Sequence, residues 1–126
     1  MIEDDDAIRA AVTDALHLEG YEVESAANGA LALESVKGSR PDAIVLDLMM
    51  PVMDGWAFLE ACRGSGLCQG VPVVVTSAYR DLAEIASQLR VQACLAKPFD
   101  LDVLLGAVER LVARSPGQRS TAAGQP

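Results

Sequence analysis

The sequence predicts an α/β fold built on a doubly wound parallel sheet. Three observations carry that prediction. Helical and extended patterns alternate along the chain. Two of the extended runs, "DAIVLDL" (42–48) and "VPVVVTSA" (71–78), are apolar on both faces, as strands are when helices cover both sides of a sheet. The length of 126 residues suits one compact domain.

The elements follow in order. Ile8, Ala11, Val12, Ala15 and Leu16 recur at helical spacing behind a run of acids, which favour a helix N-terminus. "EGYEVESA" (19–26) reads as a turn and a short alternating strand, and "NGALALESVKGS" (28–39) as a second helix that faces Ala32, Leu33 and Val36 inward and ends at Gly38 before Pro41. After the strand 42–48 comes a third helix, "DGWAFLEACRG" (54–64), with Phe58, Leu59 and Cys62 on one face. The strand 71–78 leads to a helix over 80–90 and a short strand, "ACLA" (93–96). The last helix starts near Asp100, a good N-cap, with an apolar stripe of Leu101, Leu104, Leu105, Val108, Leu111 and Val112. One domain over 1–114 is expected. Residues 115–126, "SPGQRSTAAGQP", read as a disordered tail or the start of a linker.

Composition narrows the function. The net charge of −8 argues against a nucleic-acid surface, and no apolar stretch is long enough to span a membrane. The N-terminus "MIEDDDAIRA" has no secretory-signal pattern. Cys62, Cys68 and Cys94 are odd in number and lack CxxC spacing, so free thiols in a reducing cytoplasm are expected. His17 is the only histidine and reads as a polar-face helix residue.

In doubly wound sheets function collects at the carboxyl ends of the strands. Those ends carry Glu3 and Asp4, then Asp47, then Thr76 and Ser77, then Lys97. Each has an ordinary reading alone: the acidic run as a solvated helix start, the hydroxyls as turn residues, Lys97 as a loop lysine. Asp47 is harder to explain away, because it follows Ile44, Val45 and Leu46, and a carboxylate beside that much apolar surface is costly unless paired. Clustered carboxylates suit a hard divalent cation such as magnesium, and an aspartate can act as a nucleophile toward a phosphoryl group. Lys97 and Thr76 could then bind the phosphoryl oxygens.

These residues, with "EDD" (3–5), "ANG" (27–29) followed by "AL" (32–33), "DLMMPVMDG" (47–55), "TSA" (76–78) and "KPF" (97–99), resemble the receiver domain of bacterial two-component response regulators over about residues 2–114. The resemblance implies a flavodoxin-like five-stranded sheet of order 2-1-3-4-5 with five helices. It implies that Asp47 takes a phosphoryl group from a histidine kinase or phosphotransfer protein. Asp4, Asp47 and the carbonyl of Met49 would bind Mg2+ directly, and Glu3 through water. Thr76 and Lys97 would bind the phosphoryl group, and the Lys97–Pro98 bond would be cis. A downstream protein target and a cytoplasmic setting follow, with homodimers a known variation in the family. The chain would catalyse its own phosphotransfer and slow autodephosphorylation without being a conventional enzyme.

Three features depart from the family pattern. Only Met1 and Ile2 precede the acids, where a central first strand is expected, so either the natural start lies upstream or the fold compensates. Such a gap would leave unpaired strand edges. Cys94 stands where an aromatic switch residue is usual, and "LRVQAC" lacks the usual glycine helix cap. No output domain follows within this sequence. A receiver-like binding module independent of phosphorylation is the alternative reading. A magnesium phosphatase is a third, but such haloacid-dehalogenase-like enzymes need an acid where Met49 stands.

Overall fold

The two-sided apolar runs become the middle of a parallel sheet. A computed structural model describes residues 1–114; the expected tail, 115–126, lies outside the described residues. The elements are α1 (Asp6–Leu18), α2 (Gly29–Gly38), β1 (Ile44–Asp47), α3 (Gly55–Gly64), β2 (Val73–Ser77), α4 (Leu82–Leu89), β3 (Ala93–Ala96) and α5 (Leu101–Arg114). The regular strands lie in the order β1-β2-β3, all parallel.

Alternation along β1 and β2 divides the core between the two faces of the sheet. Ile44, Leu46, Val73 and Val75 pack with Ala32, Phe58, Leu59 and Cys62 under α2 and α3, and Ile85 of α4 joins them. Val45 and Val74 pack on the other side with Val12 and Leu16 of α1 and Leu104, Ala107 and Val108 of α5. Each face is thus sealed by helices, which explains why these strands carry no solvent-facing polar positions.

The helix starts are set by short polar side chains, as the sequence suggests. Asp5 accepts from the Ile8 amide at 2.9 Å, Asn28 from Leu31 at 3.0 Å and Asp54 from Ala57 at 2.9 Å. Each satisfies one of the amides that a helix leaves without an internal partner. Asp100 accepts from the Asp102 amide at 2.8 Å.

The expected strand at 19–26 does not form a ladder. Residues 21–25 are without regular structure, and only Ala26 makes a bridge. A strand exists only against a partner, and the pairing seen here is confined to Met1, Ile2 and Glu3. Ile2 pairs in parallel with Ala26 on one side and Leu46 on the other. The order across the sheet is therefore Ala26, Ile2, β1, β2, β3, which agrees with the expected 2-1-3-4-5 sequence of segments. The first two members are single bridges rather than strands.

The missing glycine cap also has a structural outcome. Arg90 itself takes the left-handed conformation at the C-cap of α4, with φ 55° and ψ 47°. That conformation costs a non-glycine residue about 1–2 kcal/mol. Arg63, near the end of α3, donates to the carbonyls of Leu89 and Arg90 and so ties down the same helix end. Arg90→Gly is expected to raise unfolding free energy by roughly 0.5 kcal/mol, since glycine relieves the strain but enlarges the unfolded ensemble. Urea denaturation measures it; a loss of stability would show that the Arg90 side chain contributes more than its backbone strain removes.

Candidate phosphoacceptor and metal site

Register builds the site. Asp47 ends β1 directly beside Thr76 of β2, and Ser77 lies beside Ala96 of β3. The Lys97 amide donates to the Ser77 carbonyl at 2.8 Å, which brings Lys97 to the same edge. On the other side, the Asp47 amide donates to the Ile2 carbonyl at 2.9 Å, so Glu3 and Asp4 emerge next to Asp47. The strand-end residues singled out in the sequence therefore meet. The Lys97–Pro98 peptide is cis, as expected.

The Lys97 ammonium lies 2.9 Å from Glu3 Oε1 and 3.1 Å from Asp47 Oδ2. Glu3, Asp47 and Thr76 are buried, whereas Asp4 is exposed at the rim. Each carboxylate has one further anchor: the Asp5 amide donates to Glu3 Oε2 at 3.1 Å, and the Met49 amide donates to Asp47 Oδ1 at 3.2 Å. Burial pushes the Glu3 carboxyl up to about 6, against the pull of Lys97 and of the Asp5 amide and with the help of Asp47. Burial also works against the Lys97 charge, but its contacts with Glu3 and Asp47 outweigh this and raise its pKa.

A divalent cation fits these residues. Carboxylate oxygens of Glu3, Asp4 and Asp47 all lie within 4.8 Å of one another. Three acids face one ammonium, so Lys97 alone leaves the cluster under-neutralised. Thr76 Oγ1 is buried with no hydrogen-bond partner among the described residues. An orphaned hydroxyl beside a carboxylate is the position for a donor to an incoming oxygen.

The loop after Asp47 is mixed in its burial. Leu48 is fully buried in the core, and Met50 and Met53 are half-buried against it. Met49 and Val52 are exposed, and Val52 has φ 68°, an outlier for a β-branched residue. Two glycines let the loop close. A Cβ at Gly55 would stand 2.8 Å from both the Asp47 carbonyl and the Leu48 Cα, and one at Gly29 would stand 2.7 Å from the Met53 carbonyl. The "ANG" motif thus owes its glycine to the site loop, with the Gly29 amide donating to Met53 at 2.9 Å. Gly55→Ala is expected to cost on the order of 3 kcal/mol, because the obstacle is backbone that cannot rotate away. Thermal unfolding checks this, and an unchanged midpoint would mean that the loop has another packing.

Sequence reasoning did not find two neighbours of the site. Arg9 donates to the Glu3 carbonyl at 2.8 Å and holds the acidic segment down, and its spacing to Glu3 offered no signal. The Tyr79 hydroxyl donates to Met49 Sδ at 3.0 Å across the rim, a contact between loops that only the tertiary fold creates. Cys94 is half-buried in β3 against the core, and burial raises its thiol pKa. Cys62 and Cys68 are free and buried; burial, then the neighbouring Cys68, pushes Cys62 up to about 12, so it is an inert packing thiol.

Comparison with known proteins agrees with this geometry. The family model described as the response regulator receiver domain matches residues 1–109. The response regulator MprA of Mycobacterium tuberculosis is 37% identical over 117 residues, covering 91% of this chain and 50% of the relative. The receiver domain of the Francisella response regulator 1452 superposes with a TM-score of 0.82 at 28% identity, covering 90% of this chain and 93% of that one. The response regulator TrrA from Thermotoga maritima, in complex with Mg(2+)-BeF, gives a TM-score of 0.76 at 26% identity, covering 87% and 94%. The chain belongs to the response regulator receiver domain family. It spans about half the length of the curated relatives it matches. Among the described residues no helix is long and apolar enough to cross a membrane.

Proposed function

We propose that this chain is a phosphorylation-dependent switch of a two-component system, with Asp47 as the phosphoacceptor. The observation that carries this reading is the Asp47 carboxylate at a strand end, 3.1 Å from the Lys97 ammonium and beside the unpartnered Thr76 hydroxyl. An Asp47 oxygen attacks the phosphorus of a phosphohistidine on a kinase or phosphotransfer protein. The O–P bond forms and the P–N bond breaks; the imidazole nitrogen keeps the electron pair. Lys97 turns from the carboxylates to the phosphoryl group, and Thr76 donates to one of its oxygens. Asp4, Asp47 and the Met49 carbonyl would hold Mg2+, with Glu3 acting through water. The cation supplies charge neutralisation for the transferring group.

The consequence is a population shift on the face made by α4, β3 and α5, read by a downstream protein in the cytoplasm. Cys94 has no ring to swing inward, so the signal passes through Thr76 and the backbone after β2. Met49 and Ala78 flank the site, and neither can position an attacking water. Autodephosphorylation is therefore expected to be slow, followed as loss of the phosphoryl adduct in magnesium buffer; a half-life of seconds would contradict it.

Intact-protein mass spectrometry after incubation with acetyl phosphate tests the proposal. One phosphoryl adduct that needs both Mg2+ and Asp47, and is absent in Asp47→Asn, is the expected result. No adduct on a folded chain would favour a receiver-like binding module that does not use phosphorylation.

A further inference from the structure

Of the four methionines in the chain, one stands apart. Met49 is 53% exposed, whereas Met1, Met50 and Met53 are half-buried. Its thioether also has a partner that theirs lack among the described residues: the Tyr79 hydroxyl donates to Met49 Sδ at 3.0 Å. Both ends of this contact are fixed by local bonds. The Met49 amide donates to Asp47 Oδ1 at 3.2 Å, and the Tyr79 amide donates to Ser77 Oγ at 3.0 Å. Asp47 and Thr76 are partners in the parallel register, so the contact spans the mouth between the ends of β1 and β2, where Asp47 lies. Tyr79 is exposed as well, which leaves the sulfur open to small solutes.

An exposed thioether takes one oxygen from a peroxide and becomes a sulfoxide. A sulfur lone pair attacks one oxygen of hydrogen peroxide. The S–O bond forms, the O–O bond breaks, and the proton of the transferred oxygen leaves with the departing hydroxide as water. Sulfur loses two electrons and the peroxide gains them. The Tyr79 hydroxyl favours this step. A thioether is a weak acceptor and a sulfoxide oxygen a strong one, so the bond from Tyr79 strengthens as the oxygen arrives. The product oxygen takes that hydroxyl and keeps a lone pair for water. The cysteines compete poorly: Cys62 and Cys68 are buried, and burial raises the Cys94 thiol, which keeps its thiolate scarce.

We propose that Met49 is an oxidation site for hydroperoxides, assisted by Tyr79, and that its sulfoxide shortens the lifetime of the phosphoryl group on Asp47. The second half rests on the reading of Asp47 as the phosphoacceptor. The thioether gives an attacking water no acceptor; the sulfoxide supplies one two residues from the aspartyl-phosphate. Oxidation then resets the switch without any change in the phosphoryl donor.

The first measurement treats the full chain with hydrogen peroxide in metal-free buffer and follows each methionine by peptide mass spectrometry, with fragment ions separating Met49 from Met50. Met49 should gain one oxygen at least about fivefold faster than Met50 or Met53. Tyr79→Phe should slow the gain by about threefold. Equal rates at the three methionines would overturn the site, and an unchanged rate in Tyr79→Phe would overturn the part given to the hydroxyl. The second measurement loads treated and untreated chains from acetyl phosphate with Mg2+, removes the donor and follows the adduct by intact mass. The oxidised chain should lose it about tenfold faster. In Met49→Leu, peroxide should leave the decay rate unchanged. Equal decay of oxidised and untreated chains, or an acceleration that persists in Met49→Leu, would overturn the effect on lifetime. No adduct on the untreated chain would defeat the reading of Asp47 and this effect with it, while the first measurement still decides the oxidation site.

Discussion

Lys97→Ala lowers the unfolding free energy by about 3 kcal/mol in metal-free buffer, because it strands two buried carboxylates without their shared cation. Glu3 and Asp47 are buried, and the ammonium 2.9 and 3.1 Å away is the one cationic side chain that reaches them among the described residues. Asp47→Asn should behave in the opposite way. It leaves Glu3 paired with Lys97 and removes the repulsion between the acids, so the metal-free protein should be as stable as the parent or more so. Magnesium should recover much of the loss in Lys97→Ala and do little for Asp47→Asn. Chemical denaturation of both variants, with and without Mg2+, measures the contrast. Equal destabilisation by the two substitutions would show that Asp47 is held by packing and not by the charge arrangement.

The second large effect is on pH. Glu3 carries a pKa raised to about 6 from 4.5, first by burial. A raised carboxyl binds its proton more tightly in the folded state than in the unfolded one. Its contribution to stability is therefore present below pH 4.5 and fades as pH rises through 6. Magnesium binding needs the ionised form and must displace that proton. Affinity for Mg2+ should be flat above about pH 7 and fall roughly tenfold for each unit below 6. Isothermal titration calorimetry from pH 5 to 8, in buffers of different ionisation enthalpy, reads both the affinity and the proton release. A Glu3→Gln variant should lose the release in this range. Proton release that survives Glu3→Gln would assign the titration to another group.

The contrast between legible and illegible parts of this chain has a physical basis. Asp47, Thr76 and Lys97 could be read from the sequence because each sits at the carboxyl end of a run with an unmistakable pattern, and parallel pairing forces such ends onto one edge. The helices themselves were legible from their apolar spacing, and their caps are local, since Asp5, Asn28 and Asp54 act within one turn of themselves. The segment 21–25 was misread because its alternation is real but a strand needs a partner, and pairing is a property of two segments. The left-handed Val52 was invisible for a different reason: nothing in a β-branched residue announces positive φ. The tie between Tyr79 and Met49 spans thirty positions and rests on loops whose paths local pattern does not set.

The bridge at Ile2 has a kinetic consequence. Most of the acidic site is carried by β1, β2 and β3, whose pairings are close in sequence and can form early. Glu3 and Asp4 are delivered by the segment at Ile2, which pairs with Val45 and Asp47 across the whole of α1 and α2 and is held there by a handful of hydrogen bonds. Glu3 and Asp4 should thus be the last part of the site to assemble and the first to fray. Opening of the N-terminal segment would be a local event, far less costly than global unfolding, and amide exchange at Ile2 and Glu3 would outpace that of Val74 and Val75. In this chain the readiness of the site is set by how often the Ile2 bridge stays in place.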